Sequence, residues 1–422
     1  MSVQINALDS ELFQNALVSL KGERAKIHNG SYPSEILHAF GEAGLYASFA
    51  KNGVKGLQEA LLSVQKVSES CGNSGFCVWC HQALLWYLLN STNKTSAQKE
   101  LFSKLASGEI LGGTGLSNPL KAFVGLDKMR LSAKRVKGGF VINGTLAWVS
   151  NLASRHYFAF IAEVEEDSKD SQTLDSQTPK QGGRILDSNQ PKNVEYGRVA
   201  EPSGIYFREG DTINGIDSQT TKQGDRILDS NQPKNADLPK PKECIMALAC
   251  CQGALSLKPT TPFCALEGSG TYATQFRDYF VSDEMVLANP ASAMIPKINA
   301  GFVLLQCGMG LGMSEGAIRA TQRNCYNKAR LQTLCVQKEK LEQRVLKLAQ
   351  NPYTKDAFNA SLRVKLAIIK LLNELVTLCI LHNGASGYFQ GAFASKLLLE
   401  SAFFGIVSPS QGHIQKILEA TS

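Results

Sequence analysis

Apolar residues recur at helical spacing near both ends of this chain and at strand spacing in its middle. Ile36, Phe40 and Leu45, then Leu57, Leu61, Leu62, Val64 and Val67, fall near a 3.6-residue period and predict helices. Ser74 to Leu89 predicts a further apolar helix and Lys99 to Leu105 a short one. Glycines then thicken at 108, 112, 113 and 115, and the pattern changes. Met129 to Arg135, Phe140 to Ile142, His156 to Val164, Glu243 to Cys251 and Tyr272 to Val281 read as strands. Gly138–Gly139 marks a turn, and Asn143–Gly144 carries a strong hairpin signal. Beyond Pro290 the helical period returns, with stripes Leu341, Val345, Leu348 and Leu362, Leu366, Ile369, Leu372, Val376, Cys379. The expected organisation is α+β: a helical domain at 1–112, a β domain at 113–290 and a helical bundle at 291–422.

One stretch fits neither period. Residues 175–193 recur at 217–235 with 17 of 19 positions identical, in a composition rich in Ser, Gln, Asn, Lys and Asp. Two copies are too few for a solenoid and carry too little apolar surface to bury. Residues 167–242 therefore read as a disordered insertion between two strands, in the first instance a spacer.

Composition narrows the partners. The net charge of +7 over 422 residues is dispersed, so no nucleic-acid footprint is expected. No apolar run reaches the roughly 18 residues of a spanning helix, and the first residues lack the basic and apolar segments of a leader. A cytoplasmic protein is the expectation. Eleven cysteines, an odd number scattered through apolar segments, suit reduced thiols. Cys77-Val-Trp-Cys80-His81 has the spacing of a c-type haem attachment, but it sits in a helical apolar run where cysteines serve as small fillers of an amphipathic helix. The six histidines lie far apart along the chain, so no metal site is expected. The glycines at 308, 310, 312 and 316 lack a preceding strand, which favours close helix packing over a nucleotide loop.

Two motifs in the middle segment resemble those of the acyl-CoA dehydrogenase family. Gly113-Thr-Gly-Leu-Ser-Asn-Pro119 is similar to the family's (T/S)-E-P segment, with Asn118 in place of the acid. Asn143-Gly-Thr-Leu-Ala-Trp-Val-Ser-Asn151 is similar to its N-G-x-K-x-W-I-(T/S)-N segment. Leu101 to Glu109, Gly268 to Tyr272 with Phe276 to Asp278, Tyr326 to Gln332 and Gly384 to Tyr388 resemble further family segments, so the likeness covers the chain outside the insertion. It implies an acyl-CoA dehydrogenase-like fold, with a β-barrel or sandwich between two helical parts, and bound FAD. By the resemblance, Trp148 packs against the flavin ring, Ser150 meets its N5–C4 carbonyl edge, and Leu116 and Ser117 meet its pyrimidine end. Arg330 would bind the pyrophosphate, and Gly384 and Gly387 would contact FAD from a neighbouring subunit. The resemblance implies a homodimer or homotetramer acting on a small-molecule substrate such as an acyl-CoA.

The same resemblance exposes a gap. The family's catalytic glutamate lies in a Y-E-G-T-S-E-I-Q segment, and the matching stretch here is Val407 to Gln415. Anchoring on Ile414–Gln415 puts Pro409 at the base position, or Ser408 if the register slips by one. The alternative family position, near Gly301, has no acid between Asn299 and Met313. Three readings remain: a divergent dehydrogenase using another group, His413 or Glu400; a dibenzothiophene monooxygenase-like flavoenzyme, whose oxygen chemistry calls for no carboxylate base; or a flavin- or acyl-binding protein without turnover.

Overall fold

The chain begins with helices, most of which bury one stripe of side chains. In the computed structural model, which describes residues 7–166, 240–322 and 325–420, α1 (Glu11–His28), α2 (Ser34–Glu42), α3 (Ser48–Asn52) and α4 (Leu57–Ser70) precede a central helix, α5 (Gly72–Leu89). The expectation of an amphipathic helix here is corrected: α5 is buried on every face, because β strands and helices enclose it on all sides. Cys77 and Cys80 are fully enclosed fillers in it. The helix α6 (Ser96–Ser107) starts at Thr95, whose side chain accepts a hydrogen bond from the Gln98 amide, and ends at Gly108 in the left-handed region.

The middle of the chain forms one mixed sheet. Its strands are β1 (Gly112–Thr114), β2 (Leu131–Val136), β3 (Gly139–Val149), β4 (Tyr157–Val164), β5 (Cys244–Cys250), β6 (Leu255–Pro259), β7 (Tyr272–Ser282) and β8 (Val286–Ala288). The order is β6-β7-β3-β2-β4-β5-β8, with β1 parallel to β4. The near-continuous apolar runs of β4 and β5 place them inside the sheet, and Phe158, Phe160 and Phe276 pack edge-on and tilted against one another in its core.

Two details depart from expectation. A short helix, α7 (Ser117–Ala122), lies within the segment read as strand-like. The hairpin expected at Asn143–Gly144 does not form, and β3 runs through it as a bulge. Its ladder with β7 shifts between Ile142 and Gly144, and Gly144 takes φ 125°. The Asn143 side chain fixes this shape by pairing across the ladder: its Nδ2 donates to Asp278 Oδ1 at 3.0 Å, and its Oδ1 accepts from the Asp278 amide at 2.9 Å.

The remaining helices are α8 (Ile295–Gln322), α9 (Lys328–Gln350), α10 (Ala357–Tyr388), α11 (Phe393–Ile406) and α12 (Gln411–Ala420). The glycine run is explained by packing: a Cβ at Gly308 would lie 2.6 Å from the Leu61 carbonyl oxygen, and one at Gly316 2.7 Å from that of Glu69. A Cβ at Gly312 would collide with the Gln65 carbonyl oxygen. Among the described residues no helix is long and apolar enough to cross a membrane. Apart from its last three positions, the insertion expected at 167–242 lies outside the described residues. The described architecture is mixed helix and sheet, with helical parts on either side of the sheet in chain order.

Candidate functional site

The site begins where β1 meets the end of β3. Gly113 lets the backbones touch, since a Cβ there would collide with the Ser150 carbonyl oxygen, and Thr114 bridges Ser150. Two buried side chains hold this junction. Asn151, at φ 63°, donates from Nδ2 to the Gly112 carbonyl at 2.7 Å and accepts from the Tyr32 hydroxyl at 2.7 Å. His81 Nε2 donates to the Leu105 carbonyl at 3.0 Å, while its Nδ1 accepts from the Gly112 amide at 3.2 Å. Burial pulls its pKa down to about 3, which keeps the ring neutral, as one donor and one acceptor require. The histidine of the haem-like spacing is thus committed to positioning β1.

Beside this junction lies a cavity of about 370 Å³ lined by residues from β1, α5, α7, α8, β3, the 263–271 segment and the end of α11. One wall is aromatic: Phe76 stacks on Trp79 at 5.4 Å, and Phe403 and Phe302 pack on these two. Trp148 lines another part, 37% exposed and packed against Phe263. A row of hydroxyls runs beside it: Ser269 Oγ meets Thr271 Oγ1 at 2.8 Å, and Thr271 Oγ1 donates to Ser150 Oγ at 2.8 Å. Ser117 Oγ lies 2.9 Å from Ser408 Oγ. Lys121 is the one charged side chain among the described lining residues, and none of them carries a carboxylate.

Of the residues singled out in the sequence, Ser117, Trp148, Ser150 and Ser408 come together on this cavity. Leu116 is buried just before α7. The others lie elsewhere. Arg330, exposed at the start of α9, pairs with Glu374 of α10. Gly384 breaks α10 with φ 55° and has open space around it, and Gly387 is buried one turn later. Glu400 is buried against the start of α5, accepting from the Asn73 amide at 3.1 Å, and burial raises its pKa to about 7. His413 is buried with neither ring nitrogen partnered; burial and the charges of Lys121, Lys365 and Lys416 lower its pKa to about 4. Neither lines the cavity.

The structure adds one device that sequence reasoning passed over. Lys365, fully buried, donates from Nζ to Gln306 Oε1 at 2.6 Å and to the carbonyls of Val407 at 2.9 Å and Pro409 at 2.8 Å. Gln306 Nε2 in turn donates to the Ser408 carbonyl at 2.8 Å. These bonds hold the 407–409 segment against the cavity. The signal was present: a lysine three residues after Leu362 and four before Ile369, on a stripe otherwise apolar, and a glutamine inside an apolar helix.

No family model matches the sequence. Mitochondrial isovaleryl-CoA dehydrogenase of Arabidopsis thaliana is 28% identical over 142 residues, a stretch covering 32% of this chain and 34% of that protein. In three dimensions, butyryl-CoA dehydrogenase of Megasphaera elsdenii superposes with a TM-score of 0.69 at 12% identity, over 100% of this chain and 99% of that one. A dibenzothiophene monooxygenase of Paenibacillus sp. A11-2 superposes with a TM-score of 0.67 at 12% identity, over 97% and 95%. The chain has the acyl-CoA dehydrogenase-like fold, and about a third of it is similar in sequence to enzymes of that family.

Proposed function

We propose that this protein is a flavin-dependent oxidoreductase, with an isoalloxazine ring lying in the cavity against Trp148. The observation that carries this reading is convergence: two separated motifs, 113–119 and 143–151, send Ser117, Trp148 and Ser150 to one cavity. The wall suits such a ring, with an exposed indole face beside hydroxyls that donate or accept at its polar edge. A volume of about 370 Å³ lies in the usual range for small-molecule sites. A bound flavin would supply acceptance of a hydride from substrate or delivery of electrons to oxygen. The protein's part is to hold it: Trp148 by packing, Ser117 and Ser150 by hydrogen bonds, Leu116 through its backbone.

FAD is the expected form, its pyrophosphate reaching Arg330 and the Gly384–Gly387 turn of a neighbouring copy. The exposed apolar residues Leu381, Tyr388, Phe389, Leu399 and Ile406 along the end of α10 and α11 support such an assembly.

The reaction proposed is oxidation at the CH–CH group of an acyl thioester. The apolar wall of Phe76, Trp79, Phe302 and Phe403 accommodates an acyl chain, and Lys121 favours an anionic ligand such as a CoA ester. One observation favours the second reading, a monooxygenase: none of the described lining residues carries a carboxylate to take an α-proton.

The absorption spectrum of the native protein tests both. A flavin spectrum that bleaches anaerobically with an acyl-CoA supports the dehydrogenase. Substrate-dependent oxygen uptake with externally reduced flavin supports the monooxygenase. A colourless protein that takes up neither FAD nor FMN overturns the proposal.

A further inference from the structure

Three ligand-type side chains from distant segments converge outside the cavity: His28 at the end of α1, Cys71 at the junction of α4 and α5, and Glu400 in α11. All three are buried, and one ligand atom from each lies within 4.8 Å of the others. His28 Nε2 is the shared apex, 3.8 Å from Cys71 Sγ and 3.6 Å from Glu400 Oε1. None of the three lines the cavity.

We infer that His28, Cys71 and Glu400 form a binding site for a single divalent transition-metal ion of the zinc type. Cys71 and Glu400 each take part in hydrogen bonds, but the His28–Glu400 distance favours a shared ion over a direct bond between that pair. At 3.6 Å the imidazole–carboxylate pair is longer than the roughly 2.7–3.2 Å of an N–H···O hydrogen bond. Zinc bonds of about 2.3 Å to sulfur and about 2.0 Å to nitrogen or oxygen imply tetrahedral edges of roughly 3.5 Å for S···N and 3.3 Å for N···O. Contracting the two His28 edges by about 0.3 Å each, and drawing Cys71 and Glu400 together from within 4.8 Å to about 3.5 Å, closes three corners around an ion.

The donor set suits borderline metals, being one thiolate, one imidazole and one carboxylate. On binding, Cys71 loses its proton to solvent, and the thiolate and carboxylate then balance the two charges of the ion. Local cations do not forbid this. Lys396 donates to the His28 carbonyl but is paired with Glu267, and Arg24 lies over the Phe393 ring. Gly72 leaves the carboxylate its room, since a Cβ there would collide with Glu400 Oε2. In the same turn the Asn73 side-chain amide is fully buried with neither of its polar atoms partnered, so polar demand there is not met by the protein alone. The ion would tie α1, α5 and α11, which come from opposite ends of the chain.

Untagged full-length protein dialysed against cobalt(II) tests the site. The expected result is one retained cobalt per chain, with a thiolate-to-cobalt charge-transfer band in the near ultraviolet. Cys71→Ala should remove that band, while Cys250→Ser should keep it. Should Cys71→Ala fail to fold, X-ray absorption on the cobalt-loaded wild type replaces it, with one sulfur at about 2.3 Å expected. Folded wild type that retains no cobalt, or a sulfur band that survives Cys71→Ala, overturns the assignment. Flavin content plays no part in the readout, so the outcome is independent of the oxidoreductase reading.

Discussion

The hydroxyls of Ser117 and Ser408 meet at 2.9 Å in the cavity wall, although 291 residues separate them in sequence. Ser117 belongs to the motif assigned to flavin, and Ser408 to the segment where the family carries its base. A carboxylate placed at 408 would therefore face the space proposed for the reacting groups. We expect Ser408→Glu to accelerate anaerobic flavin reduction by an acyl-CoA by ~10²-fold or more, the scale of general-base catalysis. Stopped-flow bleaching measures it; an unchanged rate would show that proton removal is not what limits this protein.

Trp148 is half-exposed at the cavity and packs only against Phe263 among the described aromatic pairs, so its loss should leave the fold intact. Trp148→Ala should weaken flavin binding about tenfold, in line with the ~0.5–1.5 kcal/mol of an aromatic stacking contact. Fluorescence titration with FAD and FMN reads the change, and an unaltered affinity would remove the ring from this wall.

Lys365 supplies a pH dependence whose sign is fixed. Burial pulls its pKa from 10.5 to about 7, so between those values the unfolded chain holds a proton that the native protein has released. Stability from this group accordingly rises as pH goes from about 7 to 10.5, and falls as pH returns towards 7. Lys365→Met should flatten that rise. It should also lower stability, because Gln306 Oε1 and two carbonyls lose their donor at ~1–3 kcal/mol for each acceptor served, three while the amine is charged and two once it is neutral. Urea unfolding of both proteins at pH 7 and pH 9.5 compares the slopes; equal slopes would mean that Lys365 stays charged throughout.

Glycines in two helices should respond oppositely to alanine. Gly22, inside α1, has nothing within 4 Å of a built Cβ, so Gly22→Ala should stabilise by ~0.5–1 kcal/mol. Gly312→Ala sets a methyl against the Gln65 carbonyl and should destabilise by ~1–3 kcal/mol despite the better helix former. Thermal melts of the two variants should move in opposite directions.

Much of the fold could be read from the chain because period and burial agree there. The apolar runs of β4 and β5 and the glycines of α8 mean in three dimensions what they suggest in one. Asn143–Gly144 misled because a residue pair suited to a positive φ serves a bulge as well as a turn, and only the partner Asp278 decides between them. α7 was hidden because six residues are too few to display a period. Part of the cavity wall was legible through Trp148 and Ser150, whose motif is continuous. The pairing of Ser117 with Ser408 was not, since no local pattern records a contact between chain ends. The grouping of Glu400 with His28 was invisible for the same reason: it depends on the end of α1, the α4–α5 junction and α11 meeting in space.

The meshing of α4 with α8 carries a last implication. Gly308, Gly312 and Gly316 face the carbonyls of Leu61, Gln65 and Glu69, a stride of four on both helices. Judged by these glycines alone, such a zip could engage one tooth along, a slip of about 6 Å. What forbids the slip lies off the stride. Gly301 receives the Trp86 indole and Gly310 the Phe404 ring, two bulky keys in two separate locks. The phase of the long helix, and with it the address of Phe302 and Gln306 beside the cavity, is set by those keys rather than by the zip.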